Sequence, residues 1–90
     1  MYSTPESRIE LVLPELGMGS VPILVGQWLV EIGREVTEGD RLLEIVAGSA
    51  TVDLPAPASG VLRETTVGED ERLIVGQVLG VIEATANENE

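Results

Sequence analysis

The sequence predicts an all-β fold, a flattened barrel or sandwich of two four-stranded antiparallel sheets related by a pseudo-twofold axis. Three observations lead there. Apolar residues alternate with polar ones in short runs, as half-buried strands require. Gly and Pro interrupt nearly every window long enough to carry a helical stripe, so helix content should be near zero. The second half of the chain also echoes the first, and halves too small to bury their own apolar faces pack together around one core.

The elements follow in order. Ile9, Leu11 and Leu13 share one face of a first strand, with Glu10 opposite and Pro14 ending it. Trp28, Val30 and Ile32 do the same in a second, with Gln27 and Glu31 outward. A short strand at Val36 lies between Gly33 and Gly39, and Asp40 suits the turn that follows. Leu43 and Ile45 face inward around Glu44, and Val52 and Leu54 around Asp53. Pro55-Ala56-Pro57 followed by Ser59-Gly60 breaks one strand from the next. The predicted core is Trp28, Val30, Ile32, Leu43, Ile45, Val52, Leu54 and Leu79. Met1–Ser7 and Thr85–Glu90 offer nothing to bury, and are expected as disordered tails around a domain spanning residues 8–84.

The echo is clearest where Gly39–Ala47 is set beside Gly76–Ala84. Each is a Gly turn, a polar residue and an apolar strand ending in Ala. Upstream, Gly33 pairs with Gly68 and Gly26 with Gly60, at spacings that are not constant.

Composition removes several classes of function. Ninety residues make one small domain. With one Trp, one Tyr and no Phe, its interior must be built from Val, Leu, Ile and Ala. Without Cys or His there are no disulfides, thiolate nucleophiles, usual zinc ligands or imidazole base, and no catalytic set is visible. Sixteen acidic residues face five basic ones, all Arg, and the net charge of −11 argues against nucleic acid and anionic membranes. It leaves room for a basic protein partner. The polar N-terminus holds no signal peptide or membrane span, and the expected location is cytoplasmic. Glu69-Asp70-Glu71 is expected as a solvated loop rather than a metal site, and Gly17-Met18-Gly19 has no helix behind it to cradle phosphate. Trp28 is expected in the core, not as a ligand contact.

Four stretches carry a resemblance. LVLPELGMGSV (11–21), WLVEIGREVTEGDRLLEI (28–45), TVDLPAPASGVLRE (51–64) and VGQVLGVIEA (75–84) occur in the order and spacing of a lipoyl domain. The chain thus resembles the biotinyl/lipoyl carrier family, in particular the lipoyl domains of acyltransferase subunits in 2-oxo acid dehydrogenase complexes. The resemblance covers about Arg8 to Ala84. It implies the fold above, termini together at the end opposite a display hairpin, and membership of a dehydrogenase-like complex.

In that family the hairpin displays a lysine, whose ε-amine holds lipoate or biotin through an amide. Alignment places the hairpin at Val46–Ala50, the lysine position on Ser49 and its usual Asp neighbour on Gly48; only Ala50 keeps the family residue. A serine hydroxyl cannot form that amide, and the chain has no lysine. The expectation is a domain without lipoyl or biotinyl cofactor, and without catalytic or metal residues. A single replaced lysine leaves the departures at Val46, Ala47 and Gly48 unexplained, which points to divergence. Ala-Gly-Ser-Ala also lacks the Asp-Ser-Leu of serine-linked phosphopantetheine carriers, so Ser49 is read as a turn residue. Gly48-Ser49 between Ala47 and Ala50 suits a two-residue type II′ turn. The expected role is a non-catalytic structural or protein-recognition module. The alternative is the lipoyl-like docking domain of a membrane-fusion-type efflux assembly, against which the absence of an inserted helical hairpin counts.

Overall fold

The computed structural model describes residues 7–84. Eight strands follow one another: β1 (Ser7–Val12), β2 (Ile23–Trp28), β3 (Glu35–Val36), β4 (Arg41–Ala47), β5 (Ala50–Pro55), β6 (Gly60–Thr65), β7 (Arg72–Leu73) and β8 (Val78–Ala84). Among the described residues there is no helix, and so none long and apolar enough to cross a membrane. The strands form two antiparallel sheets, ordered β1-β8-β6-β3 and β5-β4-β2-β7. Exchanging β1 with β5, β2 with β6, β3 with β7 and β4 with β8 turns one order into the other. That is the predicted twofold. Four of the six strand pairings join residues from different halves, so neither half has a sheet of its own to complete.

Leu13, Leu42, Leu43, Ile45, Leu62, Leu79 and Ile82 are fully buried between the sheets, and Leu54 nearly so. Trp28, Val30 and Val52 are half-buried and pack against this core. Ile32 departs from expectation: it is 59% exposed. The second strand runs from Ile23 to Trp28 and does not reach Ile32. Glu31–Arg34 is instead a turn, closed by the Arg34 amide donating to the Glu31 carbonyl at 3.1 Å with Gly33 at φ 94°. Ile32 takes the second position of that turn and faces solvent. Ile23 and Val25, ahead of the expected strand, fill the core in its place.

The internal equivalence is stricter than the echo suggests. From β2 onward it holds at a constant 37 positions within each half-pair, as between Val25 and Leu62 or Gly33 and Asp70. The Gly33 amide donates to Leu62 at 2.7 Å, and the Asp70 amide donates to Val25 at 2.9 Å. The Leu62 amide donates to Arg34 at 3.1 Å, and the Val25 amide to Glu71 at 2.9 Å. Register shifts fall between Val25 and Gln27 and between Leu62 and Glu64, making Gly26 and Arg63 equivalent bulge residues. The mate of Gly33 is therefore Asp70 rather than Gly68, and the mate of Gly26 is Arg63 rather than Gly60. Matching glycine to glycine hid the constant spacing.

The register also fixes the ends. Ile23 pairs with both Ala47 and Leu73, so these three share one end of their sheet. The short connector 74–77 brings the start of β8 to that same end. The other end of β8, Ala84, pairs with Ser7, so the described termini sit together and remote from Ala47. Ser7, expected in the tail, is the first residue of β1. The rest of both tails lies outside the described residues.

Candidate functional site

The site is the β4–β5 hairpin. Ala47 and Ala50 form its last pair, leaving Gly48 and Ser49 as a two-residue turn. Gly48 has φ 64°, and Asp70 is the one non-glycine with positive φ among the described residues. A positive φ at the first central position alone is what type II′ requires, whereas type I′ needs it at both. A Cβ placed on Gly48 would also lie 3.2 Å from Val21 Cγ1. Conformation and space both favour glycine there. Gly48 and Ser49 are exposed and Ala50 is half-buried.

The neighbour that contributes Val21 is the connector 13–22 between β1 and β2. Its counterpart between β5 and β6, residues 56–59, is six residues shorter. Leu13, Leu16 and Met18 anchor the longer connector on the core. The Gly17 amide donates to Glu15 Oε2 at 3.0 Å, and the Val21 amide to the Met18 carbonyl at 3.3 Å. Sequence reasoning did not connect Val21 with the hairpin; the excess length of the connector was the available signal.

The other candidates lie elsewhere. Glu69, Asp70 and Glu71 form an exposed turn in which Glu71 Oε1 accepts the Gly68 amide at 3.1 Å. Among the described residues no cluster of His, Cys, Asp and Glu is placed to hold a metal ion. Trp28 donates its indole N–H to the Val67 carbonyl at 2.9 Å and packs on the core, a structural role.

The hairpin thus sets an exposed two-residue turn at the end of the sandwich remote from the described termini. What such a turn can do chemically depends on the residues it displays. Residues 9–82 match the biotin–lipoyl family, described as "biotin-requiring enzyme", and the chain belongs to that family. It is 36% identical over 81 residues to the dihydrolipoyllysine-residue acetyltransferase component of the acetoin cleaving system of Pseudomonas putida, covering 89% of this chain and 22% of the relative. It is 34% identical over 80 residues to the dihydrolipoyllysine-residue succinyltransferase component of the 2-oxoglutarate dehydrogenase complex of Bacillus subtilis (89% and 19%). Against the acetyltransferase component of the pyruvate dehydrogenase complex of Corynebacterium glutamicum it is 34% identical over 70 residues (78% and 10%). The chain thus spans about a fifth or less of the length of these curated relatives.

Proposed function

We propose that this domain carries no lysine-linked lipoyl or biotinyl group and serves as a non-catalytic structural or protein-recognition module. On this reading it is a cytoplasmic component of a 2-oxo acid dehydrogenase-like complex. One observation carries the proposal: the chain has no lysine anywhere, and the family resemblance matches the modified lysine to Ser49 in the exposed hairpin turn. An amide-linked cofactor needs a primary ε-amine on a long stem, and the hairpin residues do not fit it. The relatives are acetyltransferase or succinyltransferase components, two of them of 2-oxoglutarate and pyruvate dehydrogenase complexes, which supports a dehydrogenase-type assembly over an efflux assembly.

Incubation with lipoate or biotin ligase, ATP and cofactor should leave the mass of the chain unchanged, and a gain of one cofactor would overturn the reading. The turn adds a second arm. Type II′ needs a positive φ at its first central position, which favours glycine, whereas a turn bearing Asp-Lys must be of a type that L-residues tolerate, so Ser49→Lys alone should be modified poorly. Adding Gly48→Asp should raise the yield. Efficient lipoylation of the single Ser49→Lys variant would show that the amine was all that was missing.

A further inference from the structure

The longer edge strands, β1 and β5, lie in opposite sheets and are mates under the pseudo-twofold. Their registers on β8 and β4 match Arg8 with Thr51, Glu10 with Asp53, Leu11 with Leu54 and Val12 with Pro55. The Leu13 amide donates to the Gln77 carbonyl at 3.0 Å, and the Leu13 carbonyl accepts the Gly76 amide at 2.8 Å. Its mate Ala56 makes the same two bonds, to Asp40 at 2.7 Å and from Gly39 at 3.0 Å. Backbone groups alternate in direction along a strand, so Arg8, Glu10 and Val12 turn theirs outward, as do Thr51, Asp53 and Pro55. Proline has no N–H to offer, which blunts the β5 edge. The β1 edge offers an N–H at all three positions.

An open edge is a template for a further strand, and the charges on this one select which strand fits. Arg8 and Glu10 are exposed on the outer face of the sheet, on either side of Ile9. Two copies of β1 paired antiparallel about Ile9 set Arg8 of each copy opposite Glu10 of the other. Centred on Glu10 the same pairing opposes two carboxylates, and centred on Arg8 two guanidiniums, both unfavourable. The mates on β5 lack this self-complementarity, since Thr51 would meet Asp53. We infer that two copies of this chain associate edge to edge through β1, antiparallel and centred on Ile9. This goes beyond the recognition-module reading and does not rest on it.

Two further observations favour a second copy. Arg8 pairs with Glu64 at 3.0 Å, and no ion pair among the described residues includes Glu10. Beside a second copy Glu10 gains an arginine, whose five N–H donors also suffice for Glu64. An apolar groove runs between the β1 and β5 edges, lined by Leu11, Val12, Pro14, Leu54, Pro55 and Pro57. The twofold about Ile9 brings the grooves of the two copies face to face and covers Val12, which is 39% exposed. The net charge of −11 opposes association. Charges more than about 8 Å apart are largely screened at physiological salt, however, and the edge itself carries both signs. A six-residue edge is small beside the roughly 800 Å² that each partner buries in a stable interface, so the association is weak and reversible.

Sedimentation of the full chain from about 10 µM to 1 mM should show a reversible monomer–dimer equilibrium. Arg8→Glu and Glu10→Arg should each raise its Kd about tenfold, because each sets like charges opposite one another twice. The double variant Arg8→Glu/Glu10→Arg should recover the parental Kd. Glu10→Arg also reduces the net negative charge, so relief of general repulsion would tighten association where this register predicts weakening. Both side chains are exposed and the Arg8–Glu64 pair is a surface one, so thermal melts should stay near that of the parent. A second measurement is independent of charge. The chain has no cysteine, and Ile9→Cys places one thiol where its copy lies about 4.5 Å away between Cα atoms, within disulfide reach. Mild oxidation should give a covalent dimer of Ile9→Cys and none of Val52→Cys, its mate on β5. A chain that stays monomeric throughout leaves the edge to another occupant and overturns the inference. So does a dimer indifferent to the single substitutions or not recovered by the double one, and so does equal or absent cross-linking at positions 9 and 52.

Discussion

Ile45 in the first half and Ile82 in the second hold the same place on equivalent strands, and both are fully buried. Two positions earlier the halves part. Leu43 is fully buried, whereas its mate is Gly80. The space near Gly80 is taken from across the sandwich. A Cβ there would lie 3.0 Å from Trp28 Cη2 and 2.7 Å from the Glu64 carbonyl oxygen. Trp28 has its own mate in Thr65, and no second indole fills the other side. Equivalent backbones thus enclose a core that is filled unequally, one large side chain against one absent one. The same division appears at the surface, where Thr37-Glu38 in one turn is matched by exposed Ile74 and Val75 in its equivalent.

Where the halves agree, truncation should cost the same in each. Ile45→Ala and Ile82→Ala should each lower stability by about 2–5 kcal/mol, measured by urea unfolding. Leu43→Ala belongs in the same range and has no counterpart, since Gly80 has nothing to remove. A large cost at Ile45 beside a negligible one at Ile82 would break the equivalence. Where the halves differ, the effect should be smaller and local. Gly80→Ala is expected to cost about 1–3 kcal/mol, because the added methyl meets backbone at Glu64 as well as the indole. Intrinsic Trp fluorescence should shift in that variant, as Trp28 is the one Trp in the chain. An unshifted spectrum with parental stability would mean the two sheets are not held together through this pair.

These contrasts also show what the sequence could disclose. Alternation around Glu44 and Asp53 placed Leu43, Ile45 and Leu54 correctly, because a two-residue period has one reading once one face is buried. The Gly48-Ser49 turn was legible for the same kind of reason: few turn types accept that pair. Ile32 was misplaced because alternation continues past Trp28 into a turn that merely happens to keep the period. The turn is set by Gly33 and a hydrogen bond, neither of which alternation registers. Trp28 was expected in the core on its own account, whereas its fit depends on a glycine far along the chain. Contacts between the sheets of this kind leave no local trace.

The smallest expected effect lies at the turn where glycine has been replaced. Gly33 at φ 94° and Asp70 at φ 67° are equivalent, and a left-handed backbone disfavours any residue with a Cβ. Asp70 is exposed, and the hydrogen bond that closes its turn runs from the Glu71 amide to the Gly68 carbonyl at 3.1 Å. The Gly68 amide is held by Glu71, not by Asp70. Removing the Asp70 side chain therefore sacrifices none of these bonds. It relieves the strained φ, and it takes one charge out of a run of three acidic residues. Against this stands the greater freedom that glycine gives the unfolded chain. The balance should leave Asp70→Gly about 0.5–1 kcal/mol more stable than the parent. Asp70→Asn separates the two contributions, since asparagine tolerates the same φ at least as well as aspartate does and carries no charge. If Asp70→Asn recovers most of the gain, repulsion between neighbouring carboxylates dominates; if it recovers little, backbone strain does. An unfolding midpoint unchanged or lowered in Asp70→Gly would mean that the second half has adapted to its aspartate, and that the equivalence of the two turns is geometric without being energetic.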